Sequence, residues 1–359
     1  VAVSTGGGGN PHFSNVKRFG EAINTPNVWE PGCAQCYLPR MGASQLSNGM
    51  GKPNNLSFSD SNGWDYYFTD SPVDSLVLWG TDPSNSSVAT GGRALAELRA
   101  REKGLKTVVI DPRMTMDAAK AEVWLPIRPG TDAALLMAWT KWIIDNKKYD
   151  EDFCTNWTNM PYLVNPETRL TLKPTECGLE GTDKDYVIWD PAQNKPVVLE
   201  YPMNEGVKPP LFGSYEIDGK QYPTGGQLLK ESVDEFTLAK AAEICWLDEG
   251  QIEKALEIYT TGQSGIMQGV PIDQYEQSQQ CALGALNLEY LMGNVQKPGA
   301  MLQSFKPCPA RDQIPNTPRF LHKDKMLKRL GVQEHKGLLD WDMAFIPAVF
   351  KAMKDGDPY

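Results

Sequence analysis

The chain has 359 residues, 41% hydrophobic and 22% charged, near the averages of folded globular proteins and long enough for two or three domains. Its formal net charge of −10 excludes the basic footprint of a nucleic-acid or anionic-membrane binder, so an anionic ligand must be held by backbone amides and single basic side chains. No apolar run reaches the length of a membrane span, so direct membrane insertion is not expected either.

In chain order, Val1 to Thr5 reads as a strand already in progress, followed by the loop Gly6-Gly7-Gly8-Gly9 and a helix with Phe13, Val16, Phe19, Ala22 and Ile23 on its buried stripe. A loop rich in Gly and Pro then carries Cys33 and Cys36. From Leu76 the pattern alternates: strand Leu76 to Trp79, helix from about Ser86 to Lys103, strand Thr107 to Ile110, short helix near Thr115 to Lys120, strand Val123 to Ile127, helix Thr131 to Asn146. Strand, helix, strand in sequence implies parallel pairing through right-handed crossovers.

Residues 161–226 are rich in Pro and Gly, with short β-like runs at Tyr186 to Trp189 and Pro196 to Leu199, and read as a β-rich insertion. Helices are expected again at Gly226 to Ser232, Thr237 to Cys245 and Asp248 to Thr261, then a strand Ser264 to Val270 and a buried helix Tyr275 to Leu291 closed by Gly293 and Pro298-Gly299. A last helix spans Asp340 to Lys354. Both ends look cut, so the expectation is an internal piece of a larger protein. The predicted class is α/β: a doubly wound, mostly parallel sheet with a β-rich insertion. The domain reading is 1–30 as the end of one α/β segment, 31–295 as the main α/β domain, and 296–359 as the start of the returning segment.

The chemistry is concentrated at three strand ends. Gly80-Thr81-Asp82-Pro83 closes an apolar strand and is followed by Ser84-Asn85-Ser86-Ser87, all able to cap a helix; such a turn presents free N–H groups and a positive dipole end to an anion. Asp111 and Arg113 close the next strand, where doubly wound folds contact a ribose or base. Arg128-Pro129-Gly130-Thr131-Asp132 is again a turn into a helix. Each motif alone is equally a set of turn and cap residues. The Gly-x-Gly-x-x-Gly pattern is absent, which argues against an ordinary nicotinamide site.

In order and spacing, Gly80-Thr81-Asp82-Pro83, Ile110-Asp111-Pro112-Arg113 and Arg128-Pro129-Gly130-Thr131-Asp132-Ala133-Ala134-Leu135 resemble the signature of the molybdopterin oxidoreductases, the dimethyl sulfoxide reductase superfamily. Gly265 to Gly269 and Leu291 to Gly299 are similar to that family's later pterin-side segments. The resemblance implies a Rossmann-like pterin dinucleotide-binding domain holding molybdopterin guanine dinucleotide with molybdenum or tungsten. Gly80, Thr81, Asp82 and Ser84 would lie at the pyrophosphate, Asp111 and Arg113 at the guanosine end, and Gly130, Asp132, Gln268 and Gly269 at further cofactor contacts. An iron–sulfur (4Fe-4S) cluster is expected only in sequence beyond this chain, and an electron-transfer subunit is the implied partner. Location stays open between bacterial cytoplasm and periplasm.

Of seven cysteines, only Cys33 and Cys36 are close in sequence, which is unlike a disulfide framework. A thiolate is a soft ligand suited to molybdenum or tungsten. In the resembling family a side chain following a turn like Thr25-Pro26-Asn27 supplies it, which makes Cys36 the first candidate ligand and Cys33 the second. A zinc or iron–sulfur site would need a second cysteine pair, and a redox dithiol would need a helix starting at the pair where Pro39 and glycines suggest loop. A purely structural Cys33 is an equal alternative. His12, at a strand-to-helix turn, is a candidate proton donor or pterin contact, with a capping or core role equally open. The loop around Cys33 and Cys36, with Tyr186 to Asp190, looks most like the catechol dehydroxylase, hydroxytransferase and acetylene hydratase relatives, which implies a small organic substrate, anaerobic metabolism, and oxygen or hydroxyl transfer or non-redox hydration. A metal-free subunit that kept the fold is the contrary reading.

Overall fold

The computed structural model describes residues 1–4, 19–20, 22–25, 27–29, 39, 42–43, 46–47, 53–54, 74–85, 92–200, 206–295, 297 and 302–303. The chain divides into two units, one formed by 1–53, 273–279 and 304–359 and the other by 54–272 and 280–303. In the first, β1 (Val3–Ser4) and β2 (Val28–Trp29) pair in parallel, with the Val3 N–H donating to Asn27 O at 2.8 Å. The glycine loop, His12, Cys33, Cys36 and the expected helix at Asp340 lie outside the described residues.

The second unit is built on a four-stranded sheet. Its strands are β3 (Ser75–Trp79), β4 (Lys106–Ile110), β5 (Val123–Leu125) and β10 (Ser264–Gln268), in the spatial order β10-β3-β4-β5, all parallel. The α/β, parallel-sheet architecture expected from the alternation is therefore present. β3 and β10 are buried along their whole length, which is why they read as unbroken apolar runs rather than alternating ones. Burial of each such Leu, Val or Ile contributes roughly 1.5–3 kcal/mol.

Helices cover both faces. On one, Leu76, Leu78, Val109 and Met267 pack with Ala100 of α1 (Gly92–Glu102) and with Ala118 of a short 3-10 turn. On the other, Trp79 meets Trp139 of α2 (Asp132–Asp145) edge to face at 5.6 Å, and Trp139 meets Tyr259 of α6 (Glu249–Tyr259) at 5.6 Å. β5 stops at Leu125 rather than Ile127 because Pro126 has no N–H for the ladder. α3 (Glu151–Trp157) was not expected from the apolar pattern; Asp150 caps it by accepting the Phe153 N–H at 2.9 Å.

The insertion is β-rich as read, made of two antiparallel hairpins, β6 (Val187–Asp190) with β7 (Lys195–Val198) and β8 (Ser214–Ile217) with β9 (Lys220–Pro223). The second hairpin turns on Asp218-Gly219, both at positive φ (50° and 77°), the backbone that favours Asp-Gly in two-residue loops. Leu163, Leu172, Val187, Trp189, Ile217 and Tyr222 form the insertion's own small core.

After it come α4 (Gly225–Val233), α5 (Leu238–Cys245) and α6, capped by Thr224, Thr237 and Asp248 respectively, each accepting a first-turn N–H. β10 is an edge strand, and α7 (Ser278–Leu291) covers it: the buried Glu289 carboxyl accepts the Ile266 N–H at 2.6 Å. Burial holds that carboxyl well above the usual range, which favours its neutral form.

Candidate functional site

From β3 the chain crosses to β4 and then β5 on one side, whereas β10 returns on the other. The ends of β3 and β10 therefore form the point where connections diverge, the place at which open α/β sheets bind ligands. Here Gly80 follows β3 at φ +61° and donates its N–H to Ile110 O at 2.8 Å. Gly269 follows β10 and donates to Trp79 O at 2.7 Å. The two backbones are so close that a Cβ on Gly269 would lie 1.6 Å from Gly80 O. Only glycine fits there, and the pairing brings residues far apart in sequence to one rim. Gln268, buried and in register with Trp79, ends β10 beneath it.

Thr81 and Asp82 are buried behind this turn. Asp82 holds the guanidinium of Arg113 at 3.5 Å, while Arg113 itself is 74% exposed at the rim. Asp111 accepts the Arg113 N–H at 2.8 Å, fixing the turn after β4. Burial raises the Asp111 carboxyl above its ordinary value; Arg113 draws it back, and the neighbouring charges of Asp82 and Asp132 push it up again. The Asp111 carbonyl is pinned by Trp124 Nε1–H at 2.8 Å.

Ser84, expected as an anion contact, is engaged from within the protein. Its N–H donates to Asp117 at 3.2 Å and its hydroxyl to the same carboxylate. Asp117 had no signal in the sequence, since it lies 33 residues away. Burial, and Asp82 alongside, raise the Asp117 carboxyl, while the two bonds from Ser84 lower it. Behind it, burial and Asp117 push the Glu97 carboxyl up to about 7, against the pull of Arg101 at 2.9 Å.

The third turn opens α2. Gly130 has φ +80°, and a Cβ there would meet nothing within 4 Å, so its backbone faces open space. Thr131 makes no side-chain cap; its hydroxyl donates to Arg128 O at 2.7 Å, and its carbonyl accepts the Ala134 N–H at 3.1 Å, which tightens the first turn of α2. Asp132 is directed inward and accepts Trp79 Nε1–H at 2.7 Å, which ties α2 to β3. Arg128 donates its N–H to Cys245 O at 2.9 Å, and its guanidinium lies 4.6 Å over the ring of Trp246. Trp246, the residue after α5, sits at φ 59°, ψ 41° and is 70% exposed. A left-handed backbone costs a non-glycine residue roughly 1–2 kcal/mol, and an exposed cation–π contact contributes only about 0.5–1 kcal/mol.

The structure therefore gathers Gly80, Thr81, Asp82, Ser84, Asp111, Arg113, Gly130, Asp132, Gln268 and Gly269 in one unit, most of them at the carboxyl ends of the four parallel strands. Cys36, Cys33 and His12 fall outside the described residues. Among the described residues no three His, Cys, Asp or Glu side chains converge as a metal site, and Cys154, Cys177 and Cys245 are free thiols. Burial pushes the Cys154 thiol up to about 12, so it is an inert core group. Among these residues no helix is long and apolar enough to cross a membrane.

The fold is an α/β unit whose parallel strand ends and rim leave a crevice at the point where the connections diverge. The family model described as molybdopterin oxidoreductase matches residues 36–338, and the chain belongs to that family. It is 30% identical over 204 residues to a putative dimethyl sulfoxide reductase catalytic chain of Halobacterium salinarum, covering 56% of this chain and 24% of that protein. It is 30% identical over 173 residues to dopamine dehydroxylase of Eggerthella lenta (48% and 16%). With acetylene hydratase of Syntrophotalea acetylenica it shares 31% identity over 145 residues (40% and 18%). The chain thus spans about a quarter or less of the length of these relatives.

The residues present fit a pterin carrying a nucleotide. The open backbone of Gly130 at the start of α2 suits a pyrophosphate, and the Asp111 carboxylate suits the hydroxyls of a ribose or the N–H edge of a base.

Proposed function

We propose that the chain is part of the catalytic subunit of an enzyme that holds molybdenum or tungsten between two pterin guanine dinucleotides and transfers oxygen or hydroxyl to or from a small organic molecule, reductive dehydroxylation included. The observation that carries this reading is the closure of the β3 and β10 ends on each other through Gly80 and Gly269, beside the open turn at Gly130, in a chain of the molybdopterin family. When bound, the metal–pterin group supplies the redox or Lewis-acid chemistry.

The chain's own part is to bind and orient. Gly80, Gly269 and Gly130 let backbone N–H groups approach the pyrophosphate. Asp111 accepts from the guanosine end, and Arg113, held by Asp82, adds the compensating positive charge. Cys36 provides the thiolate that binds and tunes the metal, with Cys33 as second choice, and His12 the proton for substrate. A 4Fe-4S cluster outside this chain and an electron-transfer subunit complete the redox route. Similarity to acetylene hydratase favours one second reading, a hydration with no net electron transfer at the same site.

The test is X-ray absorption at the metal edge of the purified full-length protein. Cys36→Ala should remove one sulfur from the metal's shell while the fold melts as before, and Cys33→Ala should leave the spectrum unchanged. An unaltered spectrum in Cys36→Ala would move the ligand elsewhere, and protein without molybdenum or tungsten would sink the reading altogether.

A further inference from the structure

Trp246 is at odds with its surroundings. The position after a helix that requires the left-handed backbone is normally given to glycine. This indole is 70% exposed, so it recovers little by burial, and its contact with Arg128 returns no more than the backbone costs. Stability alone does not account for a large aromatic here, and a strained residue at the rim of a ligand crevice points to use.

Its place in the sheet says what that use is. Arg128 follows β5, the strand beyond β4, and its N–H is tied to Cys245 at the end of α5, so the indole and guanidinium are fixed to the same rim as Asp111 and Arg113. A nucleotide whose phosphates lie at the divergence between β3 and β10 extends its base toward the ends of β4 and β5. Trp246, with Arg128 stacked on it, stands on that side.

We infer that Trp246 and Arg128 form the stacking platform for the base of the nucleotide half of the cofactor. This rests on the nucleotide reading above and deepens it. Stacking on an indole is tolerant of base identity, so guanine is preferred through acceptor-only Asp111, which pairs with the N1–H and amino group that adenine lacks on that edge.

The experiment uses the full-length protein produced in a host unable to make the pterin, titrated calorimetrically with guanosine monophosphate and, as control, adenosine monophosphate. Trp246→Gly should raise the dissociation constant for guanosine monophosphate by about tenfold, the loss of one base stack, while melting at or above the wild-type temperature, because glycine relieves the left-handed backbone. Trp246→Phe keeps a ring and should stay within about threefold of wild type. Wild-type affinity in Trp246→Gly overturns the platform, and so does a lower melting temperature with affinity unchanged, which would make the indole a packing residue. If wild-type protein binds no guanosine monophosphate and the native protein holds no guanine nucleotide, the nucleotide reading itself fails and the platform falls with it.

Discussion

Replacing Gly269 by alanine tests how the site is made. The added Cβ would sit 1.6 Å from Gly80 O, 2.4 Å from Gly80 C and 3.0 Å from the Thr81 Cβ, and two of those neighbours are backbone atoms that cannot rotate away. The ends of β3 and β10 must part, which strains packing by roughly 1–3 kcal/mol and breaks the 2.7 Å bond from the Gly269 N–H to Trp79 O. With about 1 kcal/mol for that bond, the loss comes to about 2–4 kcal/mol. At about 2–4 °C per kcal/mol for a unit of this size, the melting temperature should fall by about 5–15 °C. Gly130→Ala is the control: its φ is +80° but the space around it is open, so it should cost only about 1 kcal/mol. Differential scanning calorimetry of both variants gives the ranking. Equal, small losses would show that the two strand ends are not in contact, and the divergence point would no longer be a formed cradle.

Three further outcomes are expected. Glu97 titrates at about 7 in the folded protein against 4.5 as the ordinary value, so its contribution is unchanged below pH 4.5, stability falls as pH rises from there to about 7, and it levels off beyond. The span is about 3 kcal/mol. Urea unfolding at pH 5 and pH 8 should show that fall in wild type and not in Glu97→Gln, and parallel profiles would refute it. Asp132→Ala leaves the buried Trp79 Nε1–H without its acceptor and removes an acid from the first turn of α2, for a loss of about 2–3 kcal/mol in denaturant, whereas Asp132→Asn should lose less than half of that. Thr224 is fully buried, donates to Leu211 O at 2.8 Å and accepts the Gln227 N–H at 3.1 Å, so Thr224→Val should cost about 1–2 kcal/mol and speed amide exchange in the first turn of α4.

The parallel core was legible because Leu76 to Trp79 and Thr107 to Ile110 are buried on both faces, and such strands appear as short apolar runs between helical periods. The insertion's β character was legible too, and the Asp218-Gly219 turn and the acid-capped start of α3 each carry a local signal in turn and cap chemistry. What no local pattern reveals is the return of β10 to lie against β3, a tertiary pairing. The same limit applies to the site. Gly80, Asp111 and Gly130 could be placed at strand ends from turn chemistry, but Ser84 is claimed by a distant carboxylate, and Asp132 by an indole on the preceding layer. Trp246 was invisible for another reason: a left-handed backbone at a non-glycine residue leaves no mark in composition or period.

The most direct test of the central claim is hydrolysis of the purified full-length protein in acid, with nucleotide, pterin and metal quantified together. The proposed function predicts guanosine monophosphate released in at least the molar amount of molybdenum or tungsten, alongside an extractable pterin. Metal and pterin without guanosine monophosphate, or protein with none of the three, would contradict it.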